Sequence, residues 1–279
     1  MSTVRGKNEN LLGWLLAILL LPFLIIMIYP FIYMVSATFK GQISVLNDGF
    51  NLIPRHFTLD AYKYVFSASN FLKYFINSSI VAVIVVGGNI VLAPMVAYAF
   101  AKKEFPGKKF FFMLLLSTMM IPMHLTLIPL YKFFTEISWM NTYKVLIIPF
   151  LAAPLGIFLL RQYIAGLPGE LIQASRIDGC SEMGIYWRII FPLTGPALAV
   201  MVINTFLNIW NSYFWPFVFT SKQSMWTLTV GVANYGSYKQ AAFNETMVTA
   251  AIAALPTAIV FLIFQKYIIS GLTSGAIKE

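Results

Sequence analysis

Six long stretches without Asp, Glu, Lys or Arg decide most of what this chain can fold into: Leu11–Phe39, Tyr74–Ala101, Phe110–Tyr131, Val145–Leu160, Ile189–Ser221 and Thr246–Gln265. A helix rising about 1.5 Å per residue needs about 20 apolar residues to cross roughly 30 Å of hydrocarbon. The fourth stretch is the shortest, but its flanks Lys144 and Arg161 can snorkel to the interface. The sequence therefore predicts an all-α, polytopic membrane protein with six transmembrane helices. The first stretch is too long for the apolar core of a signal peptide and is followed by no small-residue cleavage site, so it reads as a span. Hydrophobic residues make up 59% and charged residues 10% of the chain, against roughly 45–50% and about 25% in soluble domains. Charge this sparse does not cover a globular surface, which excludes disorder and leaves lipid as the main surroundings.

The formal charge is +9. In a soluble protein that excess suggests nucleic acid, but here the basic residues sit between apolar runs and report topology, so no nucleic-acid partner is expected. Placing the amino end inside gives the inner segments Arg5, Lys7, Lys102, Lys103, Lys108, Lys109, Arg161, Arg176, Arg188, Lys266 and Lys278, a slight excess over the outer segments. The segment Lys102–Lys109 decides the matter, with four lysines between two closely spaced spans. Both termini are thereby expected in the cytoplasm. The chain reads as a single transmembrane domain, residues 1–279, with an extracytoplasmic loop at about 40–73 and a cytoplasmic loop at about 166–192. A further outer connection covers Lys222–Glu245.

The inner loop carries most of the information. Pro168 and Gly169 break the chain after the fourth span, Glu170–Ile177 has helical composition, and Gly179 ends it. Leu171, Ala174, Ser175 and Asp178 fall at helical spacing and form one small-sided face. A second amphipathic piece, Glu182–Phe191, follows, and Pro192 and Pro196 mark entry to the fifth span. Taken by itself, this helix–Gly–helix is either a plain interfacial connection or a surface presented to another protein.

The spacing resembles the "EAA" loop of the permease subunits of binding-protein-dependent ABC importers. That pattern runs E-A-A, three residues, G, nine residues, I, one residue, L-P. Here Gln173-Ala174-Ser175 occupies the first slot, Gly179 follows Arg176-Ile177-Asp178, and Ile189 and Pro192 fall in place. Gln173, Ser175 and Phe191 depart from the pattern. Gln173 keeps length and hydrogen-bonding capacity but not the charge, and Glu170 lies one turn earlier. Phe75–Ser79 is similar to the opening of the family's second span, and Trp210–Pro216 to the end of its fifth. Gly271–Lys278 is similar to the carboxyl end of the sugar-importer branch, including maltose, arabino-oligosaccharide and glycerol-3-phosphate systems.

The resemblance implies the type I importer permease fold in a bacterial cell membrane and a sugar or sugar derivative as solute. It implies a second permease subunit, two ATPase subunits and an extracytoplasmic solute-binding protein as partners, besides membrane lipid. Residues Glu170, Gln173, Ala174, Ser175, Arg176, Asp178 and Gly179 would dock the ATPase.

No nucleotide-binding G-x-x-x-x-G-K-[ST] occurs, so ATP hydrolysis is expected in partner subunits and this chain is not expected to be an enzyme. No cofactor is expected: Cys180 is the sole cysteine, and His56 and His124 are far apart. A secondary carrier working alone would usually place ionisable groups in mid-span, and an embedded enzyme would need clustered acid–base groups. Neither pattern is present. A permease for a non-sugar solute remains the alternative within the family. His124, alone in the third span, reads as a hydrogen-bonded packing residue.

For the pathway, Asn204, Asn208 and Asn211 share one face of the fifth span, either as interhelical hydrogen bonds or as a surface for a hydroxylated solute. Asn77 opens the second span, where it caps, packs or joins the pathway. Trp210, Tyr213 and Trp215 read as an outer aromatic belt or as sugar-stacking rings. Pro94, Pro122 and Pro129 read as kinks.

Overall fold

The computed structural model describes residues 7–42, 47, 49, 51–68, 70–239 and 243–276. Arg5, Ile277 and Lys278, used above for topology and for the tail, lie outside the described residues. Among those described, all regular structure is helical apart from one antiparallel bridge, Lys40 to Phe57.

Four runs are long and apolar enough to cross a membrane as they stand: Gly13–Ala37, Phe71–Lys102, Tyr143–Ala165 and Phe243–Lys266. Two more do so only as bent pairs, Lys108–Met120 with Met123–Glu136 at 99° and Glu182–Leu193 with Gly195–Trp210 at 75°. The third span is therefore not a straight rod, and in the second pair the arm containing Glu182 belongs to the loop that leads into the fifth span. In the third, Ile121 is extended (φ −85°, ψ 116°), as expected of a residue before proline. Pro122 thus stops one helix and starts the next instead of kinking a single one. In the fifth, Pro192 and Pro196 each sit in the first turn of a helix, and Thr194 between them donates to the carbonyls of Ile190 and Phe191.

The chain clusters into two compact units, one of residues up to 69 with 234–252, the other of 70–233 with 253 onward. In the first unit, α1 (Lys7–Ala37) exposes apolar side chains all round from Trp14 to Phe31, the pattern of a helix solvated by lipid. Lys40 follows it fully buried; its ammonium donates to the Asn51 carbonyl and lies 5.2 Å over the Tyr33 ring. A short helix, α2 (Asp60–Ala68), stands where the sequence suggested only an outer loop. Tyr62 ties it back through Thr38 Oγ1 at 2.9 Å.

The second unit is built on α3 (Phe71–Lys102). After it come α4 (Lys108–Met120) and α5 (Met123–Glu136). The fourth span divides into α6 (Tyr143–Ile147), a tight turn Ile148–Phe150, and α7 (Pro154–Ala165). The loop holds α8 (Gly169–Ile177) and α9 (Glu182–Ile185), and α10 (Phe191–Leu193) leads into α11 (Gly195–Trp210). Then follow α12 (Phe214–Phe219) and two helices divided between the units, α13 (Leu228–Lys239) and α14 (Phe243–Ala276), whose residues within 234–252 belong to the first. Helices α7 and α11 lie against α3. At Gly156 a Cβ would meet Met201 Cγ at 2.9 Å, so only glycine lets α7 approach α11 this closely. One core gathers Ala97, Leu160, Ile164, Ile172, Ile185 and Met201. Another, towards the far end of α3, gathers Val81, Val85, Val145, Leu146, Trp215 and Phe219.

Candidate functional site

Helix α8 is positioned by what it buries. Ile172 and Ser175 face inward, and Ile172 joins the core cluster of Leu160 and Ile185. Its carboxyl end is closed by a Schellman arrangement: the Gly179 N–H donates to the Arg176 carbonyl at 3.1 Å and the Cys180 N–H to the Ser175 carbonyl at 3.0 Å. Gly179 has φ +78°, the left-handed conformation that glycine adopts without a Cβ penalty. Two residues on, Ser181 caps α9 by accepting the Gly184 N–H at 3.2 Å.

Glu182 then locks the loop. One carboxylate oxygen accepts from Arg176 Nη2 of α8 at 2.8 Å, and the other accepts from Lys103 Nζ and, at 3.4 Å, from the Tyr98 hydroxyl. The Lys103 hydrogen bond, with a smaller contribution from Arg176, holds this carboxyl below the usual glutamate range. Lys103 also stands 5.1 Å over the Tyr98 ring. Lys102 donates to the Ala165 and Leu167 carbonyls, at 3.2 and 2.6 Å, where α7 ends. Two of the four lysines read from the sequence as topology markers thus fasten α3 to the loop.

The outward face of α8 comprises Glu170, Gln173, Ala174, Asp178 and Gly179, with Arg176 exposed but engaged by Glu182. Ser175 does not belong to it. It is buried, and its hydroxyl donates to the Leu171 carbonyl one turn back, so the small-sided face proposed from spacing is split between core and surface. Sequence reasoning missed Ile177, which is 87% exposed one turn beyond Gln173. An isoleucine left in the open at the end of a short polar helix was the available signal. Between α9 and α10, Tyr186–Ile190 forms a π-helical turn in which the Phe191 N–H reaches the Tyr186 carbonyl; such turns are frequent at functional sites.

The residues assigned to a pathway separate into two groups. Asn204 and Asn208 are exposed on α11, with Asn208 Nδ2 donating to Asn204 Oδ1 at 2.9 Å. Asn211 caps the end of that helix and Tyr213 is exposed and stacked on Phe217. Asn77 is different. It is 2% exposed, its amide donates to the Ser224 and Trp226 carbonyls, and its oxygen accepts the Tyr143 hydroxyl. Both N–H groups of that amide and its oxygen are engaged by protein, so the buried Asn77 side chain is not presented at a surface. With Ser78, whose hydroxyl accepts the Leu228 N–H at 2.8 Å, it anchors the segment leading into α13.

The ring residues divide similarly. Trp210 donates to the Ala253 carbonyl and Trp215 to the Val145 carbonyl, and both are buried. They form neither an interfacial belt nor a stacking surface. His124 is exposed and packs edge-on against the Phe214 ring at 5.2 Å, but among the described residues it has no hydrogen-bond partner. Sequence reasoning also passed over Asn89, buried in mid-span. Its Nδ2 donates to the Phe150 carbonyl at 2.6 Å and its oxygen accepts the Ala153 N–H at 2.8 Å, which satisfies backbone groups freed where the fourth span breaks. A mid-span Asn in one stretch and two prolines, Pro149 and Pro154, in another were the clue.

Residues 89–274 match the family described as binding-protein-dependent transport system inner membrane component. The chain is 36% identical to the arabinooligosaccharides transport system permease protein of Halalkalibacterium halodurans, over 99% of this chain and 100% of that one. It is 33% identical to the trehalose/maltose transport system permease protein of Thermococcus litoralis, over 91% and 92%. Its fold superposes with a TM-score of 0.80 on a chain of a bacterial ABC transporter involved in import of the acidic polysaccharide alginate, at 24% identity over 95% of this chain and 99% of that one. The chain therefore belongs to the family of binding-protein-dependent transport system inner membrane components, and it is a multi-pass transport subunit of the ABC importer type, not an enzyme.

Proposed function

We propose that this chain forms half of the translocation pathway for a sugar, oligosaccharide or sugar derivative in a bacterial cell membrane, with both termini in the cytoplasm. A second permease completes the pathway, an extracytoplasmic binding protein delivers the solute, and two ATPase subunits drive the cycle. The observation that carries the coupling role is the outward face of α8, presented by the Gly179 turn and held by the Glu182 ion pairs. On this reading Glu170, Gln173, Ala174, Arg176, Asp178, Gly179 and the apolar Ile177 meet the ATPase. Closure of the ATPase pair on ATP moves α8, and the spans alternate between inward-open and outward-open states. Asn204, Asn208, Asn211 and Tyr213 offer hydroxyl-compatible polar groups to the solute. The sugar class is supported by the arabinooligosaccharides and trehalose/maltose permeases among its relatives.

The test is uptake and ATPase-subunit recovery for the importer carrying Gln173→Leu or Gln173→Glu. Leucine strands the partner's polar group, at about 1–3 kcal/mol, so recovery and uptake both fall about tenfold. Glutamate is neutral or favourable where a cation stands opposite, because charge-assisted bonds are roughly twice as strong. Parental behaviour of Gln173→Leu removes α8 from the interface.

A further inference from the structure

Beside the loop, at the junction of α3, α4 and α7, lies a cavity of about 470 Å³ whose lining includes Phe105, Lys108, Lys109, Phe110, Phe112 and Arg161. Three cations face it against the single carboxylate of Glu104, which pairs with Lys108 at 2.9 Å and otherwise points to solvent. The Arg161 guanidinium lies 4.9 Å over the Phe112 ring and donates through Nη1 to Gln162 at 2.8 Å. Its Nε is buried and has no hydrogen-bond partner among the described residues. A guanidinium stays charged at any working pH, so Arg161 gives the cavity a fixed positive charge, while its buried Nε is covered by protein and is not itself presented to an occupant. The cavity is within the size range of small-ligand sites. Next to it, α4 leaves Phe110, Phe111, Met113 and Leu114 more than half exposed. An occupant matching both parts has an oxyanion at one end and hydrocarbon at the other.

We propose that this cavity binds the phosphate of an anionic phospholipid, with Arg161 and Lys109 holding the headgroup and the acyl chains lying along α4. The lysine-rich segment then has two tasks: Lys102 and Lys103 fasten the loop, while Lys109 holds lipid. The leaflet follows from the orientation proposed above, but the binding does not depend on it.

The experiment is native mass spectrometry of the full chain in detergent, titrated with phosphatidylglycerol. One lipid is expected to stay bound under activation that strips the rest, and phosphatidylcholine, whose choline opposes the cations, to bind about fivefold more weakly. Arg161→Gln lowers phosphatidylglycerol retention about tenfold. Lys109→Gln lowers it about fivefold and, being at an exposed position, decides the matter if the arginine variant does not fold. Equal retention by the parent and Lys109→Gln overturns the proposal. So does displacement of the lipid by millimolar inorganic phosphate, which would mark a soluble-anion site. Neither readout involves uptake or ATP hydrolysis, so the result stands apart from the docking role of α8.

Discussion

The two ends of α3 are both fastened to distant segments, by opposite chemistry. At the Lys102–Lys103 end the fastening is ionic and half open to solvent, through Glu182, Lys103 and Arg176. At the Asn77–Ser78 end it is neutral and buried, made of amide and hydroxyl groups that satisfy backbone donors and acceptors of the Ser224–Leu228 segment. Exposed ion pairs contribute about 0–1 kcal/mol each and tolerate rearrangement. Buried neutral hydrogen bonds are costly to leave half-made. The loop end is thus the one free to adjust: it is held by contacts that can be exchanged, the other end by contacts that cannot be broken singly.

The harshest way to break that contrast is Asn77→Leu. It strands two carbonyls and the Tyr143 hydroxyl, each at about 1–3 kcal/mol, so folded yield in detergent falls sharply and the melting temperature drops by several degrees. A variant melting within about 2 °C of the parent removes the supposed rigidity of that end. Gly179→Val comes next. A β-branched residue at φ +78° costs at least about 1–2 kcal/mol, which misplaces the α8 face. Uptake should fall more than folded yield does, and normal uptake would show that the turn is not the coupling element.

The mildest change is Glu182→Gln. Both ion pairs go, yet stability falls by less than about 1 kcal/mol because the carboxylate is half exposed, and protease cleavage within the loop speeds up modestly. Its pH dependence has a definite sign. The folded-state pKa is lowered, so the carboxylate stabilises the loop above the ordinary glutamate range and loses that effect as pH falls through the folded value. Parent and Glu182→Gln should therefore differ equally from neutral pH down to mildly acidic pH and converge only in stronger acid. A difference that changes near neutrality would point to another group.

The apolar stretches were legible because hydropathy measures transfer into lipid, and each of the six contributes to a span. The helix–turn–helix around Gly179 was legible because Gly179 and the prolines around it act locally, through their own backbone limits. What stayed hidden depends on partners far along the chain. Asn77 finds Ser224 and Trp226, and Asn89 finds Phe150 and Ala153; no window of sequence contains both members of either pair. The right-angle break at Pro122 was read as a kink because a proline announces a lost hydrogen bond but not how far the next helix turns away. Ser175 was placed outward for a related reason: spacing gives the face but not which side of it meets the core.

The Asn89 amide has a mechanical consequence for the fourth span. An unbroken helix transmits a push at one end as a tilt of the whole rod. Here α6 is gripped by the cluster of Val81 and Trp215 and α7 by that of Ile164 and Met201, and between them stand a tight turn and one side chain bridging Phe150 to Ala153. Torque applied to α7 near the loop reaches α6 through a joint, so the two halves of this span can turn by different amounts while the polar groups at the joint stay paired.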